Sequence, residues 1–118
     1  GKLYVADAFN NRIQVFTDDG AFLRVLTDPA RPYGFRFPYD LSMGSDGLLY
    51  TVEYAAGRVT VLNTDGQLVS RFGTPGSSEG QFVTPWALVV DTRESTAGDE
   101  DDVWVADTDN RRLVKLKR

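Results

Sequence analysis

LYVADAFNNRIQVF, residues 3–16, holds two short apolar runs divided by a polar corner. Tyr4, Val5, Ile13, Val15 and Phe16 are residues that favour strands, and RIQVF (12–16) alternates by twos. Asn10 and Asn11 between the runs suit a tight turn. The stretch therefore reads as a hairpin. Asp7 ends its first strand and Arg12 begins its second, five residues on. An acid facing an arginine across a hairpin mouth is either a reactive pair or a fastener, and repetition decides between them.

The pattern occurs three times, here and in LYTVEYAAGRVTVL (residues 49–62) and VWVADTDNRRLVKL (residues 103–116). The aromatic–acid–arginine triplets are Tyr4, Asp7, Arg12; Tyr50, Glu53, Arg58; and Trp104, Asp107, Arg112. Their arginines are 46 and 54 residues apart. The flanks repeat too. Gly20 and Gly66 each follow their arginine by eight residues, and Phe35 and Phe82 each precede a proline by three. A pair present in every repeat is poor evidence for a unique catalytic centre. Asp7–Arg12, Glu53–Arg58 and Asp107–Arg112 are accordingly expected to be structural, each guanidinium holding a carboxylate and nearby carbonyls.

Each repeat is a unit of four short antiparallel strands, with Asp-Gly turns at Asp19-Gly20 and Asp65-Gly66. In the middle copy the strands are expected near 39–44, 48–53, 58–62 and 67–72. No sustained helical period appears. Tandem four-strand units of this length predict an all-β protein built of β-propeller blades. The chain should carry about 2.5–3 blades: the last three strands of one over 1–27, a whole one over 35–73, and the first three strands of another over 82–118.

GQFVTPWALVVD, VWVADTDNRRLVKL and LYVADAFNNRIQVFTDDGAFL resemble NHL repeats along essentially the whole chain. The middle copy departs, with Glu53 for the acid and YAAG for the corner. The resemblance implies a propeller of six blades as a rule. This chain is then expected to be the C-terminal portion of a longer ring, completed by blades upstream or by self-association along open edges.

Composition narrows the function. The formal charge is −4, which argues against nucleic acid as a partner. There is no cysteine and no histidine, so thiolate sites, imidazole metal ligands and a Ser-His-Asp triad cannot be built from these residues. No apolar run reaches the length of a membrane span. GTPGSSEG (73–80) lacks the lysine and following helix of a phosphate loop and reads as a linker between blades. The acidic run TRESTAGDEDD (92–102) offers oxygen ligands suited to calcium, but its spacing fits no EF-hand and a solvated insertion is the expectation.

What does not repeat is the better guide to function. The connections entering each first strand and the hairpin corners emerge on one face, the mouth of the propeller. Arg36, Tyr39 and Asp40 stand there in one blade and Trp86 in the next, with Phe9 and Tyr54 on the corners. Asp40 is the first choice for a specific polar contact, because Ala87 occupies the matching place in the next repeat. The resemblance implies a non-catalytic module presenting this face to a protein, peptide or glycan, with no cofactor and no metal. The alternative is part of a propeller enzyme, either lyase-like or a metal-dependent lactonase or hydrolase. A bacterial extracytoplasmic setting is the expected location.

Overall fold

A computed structural model describes residues 1–92 and 101–117. Strands β1 (Lys2–Asp7), β2 (Arg12–Thr17) and β3 (Phe22–Leu26) form the first antiparallel sheet. Strands β4 (Pro38–Met43), β5 (Leu49–Glu53), β6 (Arg58–Leu62) and β7 (Leu68–Phe72) form the second, within one residue of the expected bounds. A two-residue parallel pair, β8 (Thr74–Pro75) and β9 (Gln81–Phe82), orders the linker. Strands β10 (Ala87–Asp91), β11 (Asp102–Asp107) and β12 (Arg112–Lys117) make the third sheet. The architecture is all-β and of the propeller type, and the three antiparallel sheets are its blades.

The three hairpin corners share one backbone device. Asn11, Gly57 and Arg111 precede the repeat arginines and have φ of 57°, 59° and 55°. Asparagine tolerates this left-handed conformation and glycine adopts it freely. A Cβ on Gly57 would also stand 2.7 Å from the Phe82 carbonyl oxygen. That contact gives a physical reason for the glycine in the middle corner.

Side chains alternate between the two faces of each sheet. Leu41, Leu49 and Leu62 of the second blade pack against Tyr4, Ile13, Val15 and Leu26 of the first, with Phe35 beside them. Tyr50, Val52, Val59 and Val61 pack the other way, against Leu88, Val90, Val103 and Val105, with Phe82. Each fully buried aliphatic or phenylalanine side chain among these contributes about 1.5–3 kcal/mol relative to exposure. The strand-two aromatic of each blade thus faces the following blade. By the same register Trp104 points away from the second blade, and it is exposed together with Val89 and Leu113. At the opposite end Leu3 and Val5 are exposed.

Candidate functional site

The acid–arginine pairs close as hairpin fasteners with unequal surroundings. Arg12 Nε donates to Asp7 Oδ2 at 2.8 Å, and Asn10 and Gln14 donate to the same carboxylate. The Arg12 hydrogen bond is the largest cause holding the Asp7 carboxyl below its ordinary value. Arg112 Nε donates to Asp107 Oδ2 at 2.7 Å, and its other nitrogens donate to the carbonyls of Ser77, Ser78 and Gln81. One guanidinium therefore holds both the carboxylate and the inter-blade linker. The Val83 N–H donates to Asp107 Oδ1 at 2.8 Å. Burial pushes the Asp107 carboxyl up, but the bonds from Asn110, Val83 and Arg112 outweigh it and leave the carboxyl below its usual range.

The middle pair belongs to a larger buried network. Arg58 Nε donates to Glu53 Oε2 at 2.7 Å, and Arg58 Nη2 donates to Asp28 Oδ2 at 3.1 Å. Arg71 pairs with the other oxygen of Asp28. The Arg36 N–H donates to Glu53 Oε1 at 2.9 Å, and the Thr60 hydroxyl donates to Glu53 Oε2. Glu53 and Asp28 side chains have no exposed surface. The hydrogen bonding of Arg58 to the Glu53 carboxylate is the main cause raising the pKa of Arg58. Asp28 and Arg71 have no counterpart in the other repeats, so repetition gave no signal for them.

Asp40 is engaged by backbone. Its Oδ1 accepts from the Leu41 N–H at 2.9 Å and its Oδ2 from the Leu88 N–H at 3.1 Å. Two residues on, the Ser42 Oγ accepts from the Val90 N–H at 3.0 Å. Strand β4 thus uses side chains to satisfy the edge of β10, where no ladder bond reaches. Asp40 links neighbouring innermost strands rather than standing alone at the mouth.

The mouth aromatics do come together. Tyr39 stacks on Tyr54 with centroids 4.6 Å apart and meets Trp86 edge-on at 6.4 Å. Phe37 lies 6.4 Å from Tyr39 and 5.8 Å from Phe9. Phe9, Phe37, Tyr39, Tyr54 and Trp86 form a continuous strip drawn from all three blades, with Phe9 and Trp86 exposed. Phe37 was not singled out in the sequence. It precedes Pro38 at φ 53°, and Thr84 precedes Pro85 at φ 45°. Residues before proline prefer extended backbone, so both positions are strained. The Arg36 side chain is exposed beside this strip.

Of the acidic run, Asp101 accepts from the Ser45 N–H and hydroxyl at 2.7 Å, and Asp102 pairs with Lys115 at 3.2 Å. Glu94, Asp99 and Glu100, which the calcium reading needs, lie outside the described residues. Among the described residues no group of three acids could hold a metal ion, and no helix is long and apolar enough to cross a membrane.

No protein-family model matches the chain, and no curated protein matches it in sequence. Solved structures do. A streptogramin B lyase superposes with a TM-score of 0.64 at 17% identity, over 99% of this chain and 37% of that one. Virginiamycin B lyase from Staphylococcus aureus gives 0.64 at 20% identity, over 99% and 38%. A catalytically inactive histidine-to-alanine form of that lyase, with quinupristin, gives 0.63 at 19% identity, over 100% and 38%. The chain spans just over a third of the lyases it resembles, and at these identities the likeness carries the fold. These neighbours are seven-bladed, where the NHL resemblance implied six. They are also enzymes, which overturns the expectation of a non-catalytic module. That expectation rested on the NHL resemblance, with the absence of histidine from these residues set against an enzyme. The chain is a stretch of propeller blades similar to those of streptogramin lyases.

Proposed function

We propose that this chain is part of a propeller enzyme of the lyase kind, and that its mouth face binds the substrate. The observation that carries the reading is the aromatic strip, five touching rings supplied by three blades on one face. Tyr39, Trp86, Phe9 and Tyr54 provide ring faces for an apolar cyclic ligand, and Arg36 adds a charge at its side. The segment supplies binding surface rather than the acid–base group, because it contains no histidine and the related lyase is inactive as a histidine-to-alanine variant. We read the blades as NHL-type on the ADxxNNR-like corners of the first and third repeats.

The test is turnover of quinupristin by the full-length protein, followed as loss of the parent compound on liquid chromatography. Consumption that weakens in Trp86→Ala through a raised KM supports the reading. A pure, folded full-length protein that leaves quinupristin intact would sink the streptogramin-lyase assignment.

A further inference from the structure

A second feature of the mouth face lies between the corners of the first two blades. Arg31, Arg36, Tyr33, Phe35 and Phe37, together with Asn11 and Ala55, line a concavity of about 150 Å³. We propose that it binds a single carboxylate carried on a flat aromatic or apolar group.

The charge argument is local. Arg12, Arg24, Arg58, Arg71 and Arg112 each pair with an acid. Arg31 and Arg36 have no acidic partner among the described residues, although the chain carries more acids than bases. Two arginines lining one hollow can offer guanidinium forks to the two oxygens of a carboxylate. The overall charge of −4 repels a polyanion but barely opposes one charge. The walls supply the second half of the recognition. Tyr33 is 82% exposed at the rim, and Phe37 joins the hollow to the aromatic strip.

The hollow is held in shape before any ligand arrives. The Phe35 N–H donates to the Asn11 carbonyl at 2.9 Å and the Phe37 N–H to Asn11 Oδ1 at 3.3 Å. The Ala55 N–H donates to the Arg36 carbonyl at 3.1 Å, and the Gly34 N–H to the Arg31 carbonyl at 3.2 Å. These bonds fix the loop that bears both arginines, which lowers the ordering cost of binding. The proposal goes beyond the lyase reading. It is read by binding alone, so either can fail without the other.

The test uses benzoate, benzamide and inorganic phosphate as probes, with amide chemical shifts of the chain as readout. Benzoate should shift Arg36, Phe37 and Ala55 and bind about tenfold more tightly than neutral benzamide, the scale of a charge-assisted pair. Arg31→Ala with Arg36→Ala should remove that advantage. Rising salt should weaken benzoate and leave benzamide unchanged, a comparison made on the unaltered protein and so independent of the variant's folding. Equal binding of benzoate and benzamide, or benzoate affinity unchanged in the double variant, would overturn the proposal. Phosphate bound as tightly as benzoate would also overturn it, by showing a bare anion site without ring recognition.

Discussion

Asp40 Oδ2 accepts the Leu88 N–H at 3.1 Å, so a side chain of one blade completes the backbone of the next. Strands β4 and β10 do not pair as a ladder, and Asp40 and Ser42 bridge them instead. Asp40→Ala leaves the Leu88 N–H without this partner, which should cost about 1–3 kcal/mol. Asp40→Asn keeps one acceptor oxygen and should lose less. Urea unfolding of the three proteins checks the order. An Asp40→Ala protein as stable as the parent would return Asp40 to the list of free mouth-face groups.

Glu53 and Asp7 are equivalent in the repeat and unequal in energy. Glu53 has no exposed side-chain surface and Arg58 shows only 20%. Glu53→Ala leaves Arg58 with Asp28 alone and takes the acceptor from the Arg36 N–H and the Thr60 hydroxyl, a loss of up to about 3–5 kcal/mol. Asp7→Ala releases Arg12, whose side chain is 38% exposed, and should cost clearly less. Thermal unfolding of both variants measures the gap, and equal losses would contradict the account.

Gly34 separates space from backbone. Its φ is +85°, and a Cβ there would stand 2.4 Å from the Asn11 carbonyl oxygen. Gly47, at φ +77°, has nothing within 4 Å. Gly47→Ala should cost only the left-handed penalty of about 1–2 kcal/mol. Gly34→Ala should cost more and disturb the loop bearing Arg31 and Arg36, visible as displaced amide shifts for Phe35 and Phe37.

Asp107 makes stability depend on acid. Its folded carboxyl lies below the ordinary value of 3.8, so it loses its proton more readily folded than unfolded. Its contribution is full above about pH 4 and fades as pH falls through the depressed folded value. Asp107→Asn should be less stable at neutral pH, and the two proteins should converge in acid. Denaturant titrations from pH 7 down to about pH 2 test this. Parallel curves across that range would refute it.

The strands and their bounds were legible because alternation, Asp-Gly turns and the threefold repeat all agreed. The acid–arginine pairs were legible because each closes within one hairpin. What escaped was non-local or unrepeated. Asp28 reaches Arg58 across 30 residues and has no repeat partner. The role of Asp40 depends on a backbone N–H 48 residues away. Phe37 sits before a proline with a backbone that residue type seldom adopts, so no propensity placed it in the aromatic strip.

The alternation of faces also gives the blade stack a sense of rotation. Tyr4 and Tyr50 look the same way round the arc, each towards branched aliphatic residues on the next blade, and Trp104 takes the same direction with its face exposed. Each seam therefore joins two unlike surfaces. A twofold pairing of copies through Trp104 would set aromatic against aromatic and leave the aliphatic side uncovered. A contact that repeated these seams would be head-to-tail, and such contacts close into a ring only where their rotation allows it.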